Sequence, residues 1–222
     1  WSFGAPLGVL FAPGQARAAV TIVISPGTVN ANFPGPIKAG SAATAVAKIS
    51  VTASAISQTL AAVTASFSGT GFLTTDLLAI ATGDTSGVAL YTDHASLGTA
   101  GTYDSNDPVV TLAASPNWTS STTNITLTPA TPVALTNGVA KIFYIVIKTA
   151  APGTLLNGDE IRVTVPANGV VTAPTDGSGP AANVTLTPVI ADTVVPTISG
   201  VNGFSGSATV TVNFSEPVQK VG

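Results

Sequence analysis

The chain of 222 residues carries seven basic and ten acidic side chains, a formal net charge of −3 and a pI near 4.8. Charged residues make up 8% of it, against ~25% in ordinary soluble domains, which leaves neither the clustered cations that nucleic-acid binding requires nor a polybasic patch for an anionic membrane. Cysteine is absent and His94 is the single histidine, which excludes disulfides, thiolate chemistry and any site built on two imidazoles.

The opening apolar stretch from Leu7 to Ala12, followed by Ala16-Arg17-Ala18, fits two readings. It is either the tail of an export signal or an arm that docks as a donor strand on another surface, and both imply an extracellular or cell-surface location. The β-branched run from Ala19 to Ser25, closed by Pro26-Gly27, predicts a strand with a turn behind it. Residues 1–25 are therefore expected to form an extended N-terminal arm.

Residues 43–53 and 59–67 alternate small or polar residues with Val46, Ile49 and Val51, and with Leu60, Val63 and Phe67. Their alanines leave a helical alternative open, but the β-branched and hydroxyl content favours strands. A short helical turn is expected over 76–80, capped by Thr75 or Asp76. Residues 88–91 and 109–112 read as further strands.

From 122 to 190 the punctuation is clearer. Asn137-Gly138, Asn157-Gly158 and Asn168-Gly169 separate apolar segments, and Asn-Gly is a strong hairpin signal because both residues tolerate positive φ. The six-residue apolar run 142–147, with Phe143 and Tyr144 inside it, predicts a central strand covered on both faces. In 160–165, Ile161, Val163 and Val165 alternate with Glu160, Arg162 and Thr164, the pattern of a half-exposed strand. A Pro- and Gly-rich loop at 174–180 precedes a last strand at 184–186. Short strands at this spacing predict an all-β fold, an Ig-like β-sandwich over residues 26–191. No run of eighteen apolar residues occurs, so no membrane-spanning helix is expected.

The composition shifts at Asp192. The text Asp192-Thr-Val-Val-Pro-Thr-Ile-Ser-Gly-Val-Asn, followed by Ala208-Thr-Val-Thr-Val-Asn-Phe-Ser-Glu-Pro-Val218, resembles the opening two strands of the bacterial Ig-like domains of surface-layer and other exported proteins. Residues 192–222 then form an incomplete Ig-like unit, a C-terminal strand pair that a cut domain leaves behind or that completes a sheet elsewhere. Residues 40–166 resemble a β-sandwich module of secreted multidomain bacterial proteins, on the order of Phe67-Ser-Gly-Thr-Gly71, Asp76, Val88-Ala-Leu-Tyr-Thr-Asp93, Leu135-Thr-Asn-Gly-Val-Ala-Lys-Ile-Phe-Tyr144 and Ala150-Ala-Pro-Gly153. Both resemblances imply location and fold rather than activity.

Candidate chemistry is sparse. A nucleophilic hydrolase needs a base beside its serine, and His94 is the sole imidazole, in a segment that lacks the G-x-S-x-G elbow. The adjacent acids Asp159 and Glu160 should point to opposite faces of a strand, unlike a glycosidase pair. These points lead to the expectation that the chain is not an enzyme. The best ligand signal is the acidic loop holding Asp93, Asp104, Asn106 and Asp107, whose oxygens suit calcium, although Pro108 breaks the EF-hand pattern; the alternative is a solvated loop of Asx turns. Asn117, Asn124, Asn183 and Asn213 head Asn-x-Ser/Thr sequons and are candidate glycosylation sites, while Trp118 is a candidate platform for a glycan. Weighed together, these features favour a structural subunit of an extracellular filament or surface layer, homopolymerising by β-strand donation from one terminus. The other reading is an adhesin or carbohydrate-binding module of a larger secreted protein.

Overall fold

The computed structural model describes residues 20–26, 37–38, 40, 43–54, 58–80, 86–94, 96–116, 124–151, 154–174, 177–187, 189–192, 197–203, 206 and 208–215. The arm before Val20, Asn117 and Trp118 lie outside these residues. In chain order the strands are β1 (Val20–Pro26), β2 (Ile37–Lys38), β3 (Thr44–Ala53), β4 (Gln58–Ser68), β5 (Val88–Thr92), β6 (Ile125–Leu127), β7 (Val133–Leu135) and β8 (Ala140–Ile147). They continue as β9 (Glu160–Val165), β10 (Val170–Ala173), β11 (Gly177–Gly179), β12 (Val184–Thr185), β13 (Val189–Asp192), β14 (Ile198–Gly203) and β15 (Val210–Phe214). Among the described residues the only helical element is a 3-10 turn at Thr74–Asp76, so the all-β expectation holds.

Two sheets share one core. The first is antiparallel in the order β1-β3-β8-β5. The second is organised on β4, which pairs with β6 and β7, and with β9 and β10; β11, β12 and β13 extend it, and β2 joins β13 in parallel, Ile37 opposite Ala191. Ile49, Val51, Phe143, Ile145 and Leu90 from the first sheet meet Leu60, Val63, Phe67, Ile161 and Val163 from the second in a single buried cluster. Burying each such side chain contributes roughly 1.5–3 kcal/mol.

The run 142–147 becomes most of β8, central between β3 and β5, and both its faces are covered as predicted. Phe143, Ile145 and Ile147 enter the shared core, while Tyr144 and Val146 join Ala45 in a second cluster on the outer face. A bulge opposite β8 lies between Ala45 and Ala47. It inserts Val46, so Ala45, Val46 and Ala47 are all buried, a pattern that strict alternation would forbid.

Several local expectations are corrected. The helical turn sits earlier, at Thr74–Asp76, because Asp76 bonds back to Leu73 as the third residue of the turn rather than capping its start. Residues 109–112 make only isolated bridges, Val109 to Tyr91 and Leu112 to Pro129. Gly138, Gly158 and Asn168 do take positive φ, yet none closes a hairpin of paired neighbours. β7 lies on β4 while β8 lies on β3, and β9 and β10 follow successive stretches of β4 with the Asn168-Gly169 turn between them. Of the N-terminal arm, Val20–Pro26 is docked along β3 of its own chain. Gly177 allows β11 to close that corner: a β-carbon there would collide with Val20.

Candidate functional site

Two surfaces stand out, a loop folded over the outer face of β8 and a ribbon at the C-terminal end. The loop spans 93–107 and is built on backbone-to-carboxylate hydrogen bonds. Asp93 Oδ1 accepts the Gly101 N–H at 2.8 Å and the Tyr144 hydroxyl at 3.1 Å. Asp104 accepts the N–H groups of Thr99 and Asn106, both at 2.8 Å. Asp107, itself buried, accepts those of His94 at 2.8 Å and Asp104 at 3.0 Å. Lys48 clamps the loop to β3 by donating to the Gly101 carbonyl at 2.6 Å.

The four residues expected to hold calcium are therefore brought together, but in the manner of Asx turns. Each carboxylate already accepts at least one main-chain N–H, and exposed Asn106 bonds Asp104 through its own N–H and its side chain. Among the described residues no group of three or more His, Cys, Asp or Glu side chains could hold a metal. The N–H groups of Asn106 and Thr99 hold the Asp104 carboxyl below its ordinary range, because hydrogen bonds to the charged form favour it. Beneath the loop, Tyr103 packs edge-on against Tyr91 at 5.3 Å and Tyr144 at 5.7 Å between ring centroids. Burial pushes the Tyr103 and Tyr144 phenols upward, helped by the neighbouring Tyr91 in one case and Asp93 in the other.

His94 is partly exposed and its Nδ1 lies 3.3 Å from Ser96 Oγ, two residues away. Asp159 precedes β9, and Glu160 forms a long, solvent-screened pair with Arg162 at 3.8 Å on one face of that strand, an arrangement of little energetic consequence. Asn124 is exposed ahead of β6 and Asn213 is exposed on β15. Asn183 is exposed too, but its Oδ1 accepts the Ala167 N–H at 2.9 Å and ties down the turn after β9. Asn117 and Trp118 fall outside the described residues.

The ribbon is β14 paired antiparallel with β15, with Val201 opposite Val212 and Ile198 opposite Phe214. Cross-strand partners share a face, so Ile198, Val201, Val210, Val212 and Phe214 line one side, while Asn202, Thr211 and Asn213 line the other. The five apolar residues are 42–62% exposed. Sequence reading placed the two strands but not this bare face, whose signal is the alternation in Val210-Thr-Val-Asn-Phe214 itself.

No description of a known protein family matches the chain, and no curated protein does. A solved structure with some likeness is that of AvmM, which catalyses macrocyclization in alchivemycin A biosynthesis: TM-score 0.31, 10% identity, over 78% of this chain and 86% of that one. That structure is of an enzyme, so the comparison gives no support to the expectation that this chain is not one. At such a TM-score the likeness carries no argument for a particular reaction, and none is taken from it. Among the described residues no helix is long and apolar enough to cross a membrane.

Proposed function

We propose that the chain is a structural subunit of an extracellular filament or surface layer, and that copies join through the β14–β15 ribbon. The observation that carries this reading is the ribbon's apolar face, Ile198, Val201, Val210, Val212 and Phe214, exposed on two strands that pair with each other. A two-stranded hairpin is marginal in water by itself and needs a third strand or a covering surface. Contiguous exposed apolar surface of this kind marks an interaction site. The occupant this reading commits to is a strand of a second copy, which would add main-chain hydrogen bonds along the open edge and complete the Ig-like unit begun at Asp192. Of the two termini, the tail is the better joint: Val20–Pro26 is already paired along β3 of its own chain. Joining tail to body in a head-to-tail fashion does not close on itself and so generates fibres or sheets.

Negative-stain electron microscopy and sedimentation velocity of the purified protein test this. Regular fibres or sheets are expected for the native chain, and dispersed particles for Val212→Asp. Dispersed native particles at every concentration would defeat the reading and turn attention to glycan arrays and an adhesion module.

A further inference from the structure

The sequence holds four Asn-Gly pairs, at Asn137, Asn157, Asn168 and Asn202. The pair is chemically labile, because glycine has no side chain to keep its amide nitrogen away from the side-chain carbonyl of the asparagine before it. Attack there closes a five-membered imide, and a folded backbone prevents it by holding that nitrogen and the torsions beside it until the segment opens locally. All four asparagines are exposed, so access to water does not separate them. Backbone restraint does.

At three of the pairs the glycine N–H is held. Gly138 donates to Ala53 O at 2.8 Å, Gly158 to Ala191 O at 2.9 Å and Gly169 to Pro166 O at 2.9 Å, and Ala53 and Ala191 are buried residues of β3 and β13. These turns also need their glycines: Gly138 and Gly158 take φ of +71° and +89°, and a β-carbon at Gly169 would lie 2.8 Å from Pro166 O. Gly203 differs on both counts. It ends β14, opposite Val210, in a two-stranded ribbon of the kind that is marginal in water and opens from its ends. Its φ lies outside the left-handed region, and a β-carbon there would meet Val210 Cγ2 at 3.7 Å, an ordinary contact. The backbone does not require glycine at 203, and glycine weakens a strand.

We propose that Asn202 is a site of spontaneous deamidation, through which the ribbon ages and its subunit is withdrawn from joining. When the end of the ribbon opens, the Gly203 nitrogen attacks Asn202 Cγ; the Cγ–Nδ2 bond breaks, and ammonia leaves with the proton from that nitrogen. Water then opens the imide. Opening at Cγ leaves aspartate, while opening at the main-chain carbonyl leaves isoaspartate, whose main chain runs through the side-chain methylene and is one atom longer. Either product carries a new negative charge, and isoaspartate sets the extra atom opposite Thr211, where the ladder has no place for it. The modification follows from the ribbon's own geometry; the withdrawal from joining rests on the function proposed above.

The test is to age the full chain in dilute solution at mildly alkaline pH and to follow the four pairs by peptide mass spectrometry, with isoaspartate identified by methyltransferase labelling. In the folded chain Asn202 should convert at least about tenfold faster than Asn137, Asn157 and Asn168, whereas in concentrated urea the four should convert at similar rates. Gly203→Ala should fold as the native chain does and convert several-fold more slowly at Asn202. Similar rates at all four sites in the folded chain would overturn the proposal, as would faster conversion at any of the other three or an Asn202 rate unchanged in Gly203→Ala. In sedimentation velocity the native chain should lose association in step with conversion at Asn202, while Gly203→Ala aged equally long keeps the association it had when fresh. Full association of the converted chain would overturn the withdrawal. A fresh native chain that stays dispersed at every concentration would defeat the joint, and the withdrawal with it, while the order of rates still decides the modification.

Discussion

β8 and β15 are written in similar letters and end in opposite environments. β8 alternates around Phe143, Ile145 and Ile147 on one side and Tyr144 and Val146 on the other, and the chain covers both. The second sheet packs on the first side; the 93–107 loop, held by Asp93, Asp104 and Asp107, closes over the second. β15 alternates Val210, Val212 and Phe214 with Thr211 and Asn213, yet all five residues are exposed. The difference lies in neighbours rather than propensity. β8 has a hydrogen-bonded strand on each side, whereas the register of β15 is with β14. Alternation specifies a face to be buried and does not specify what buries it.

The comparison can be broken first at β8. Ile145→Asp would place an unpaired charge in a site that is 0% exposed, and the expected loss, beyond about 4 kcal/mol, should abolish cooperative unfolding by circular dichroism. A soluble, cooperatively melting variant would mean that β8 is not the central strand. Gly71→Ala comes next. It combines a φ of +77° with a collision at Asp159, and about 1–3 kcal/mol should be lost in urea unfolding.

The loop over β8 responds to pH at both extremes. Tyr103 and Tyr144 hold their protons above the ordinary tyrosine value of 10.0, chiefly because they are buried. The stability this contributes is complete below that value and is lost as the pH rises beyond it, where the unfolded chain ionises first. Asp104 behaves in the opposite sense. Its folded affinity is lowered, so its contribution is present above its ordinary value of 3.8 and is lost as the pH falls below it. Tyr103→Phe should shrink the alkaline decline in melting temperature. At neutral pH, Tyr144→Phe removes the 3.1 Å bond to Asp93 and should cost about 1 kcal/mol, with faster amide exchange across the loop.

The smallest effect on stability is expected in the ribbon. Val212→Asp is a change at an exposed position and should move the unfolding free energy by no more than about 0.5 kcal/mol, while removing association in sedimentation velocity. A large loss of stability would mean that the face is covered within the monomer.

Strands with strong local patterns were legible in the sequence. β9 matches the Glu160–Val165 alternation residue for residue, and β8 follows from an apolar run too long for a one-sided strand. β7, β11 and β13 were not expected. Their few residues include Gly177 and Gly179 or follow a proline, and they exist because a neighbour supplies the partner edge. The acids of the 93–107 loop were legible as a cluster, but their partners are the loop's own N–H groups, which sequence spacing alone does not distinguish from a cation. Asp76 was read as a cap. Its main chain is held by the Ala150 N–H beyond β8, a long-range contact that no local pattern carries.

Hydrogen exchange of the amides in 210–214, measured across a range of protein concentrations, tests most directly whether the ribbon is the joint between copies. The account predicts that β15 is poorly protected in dilute solution and becomes protected as the concentration rises, while β8 remains protected throughout. Exchange in β15 that is the same at every concentration would contradict it.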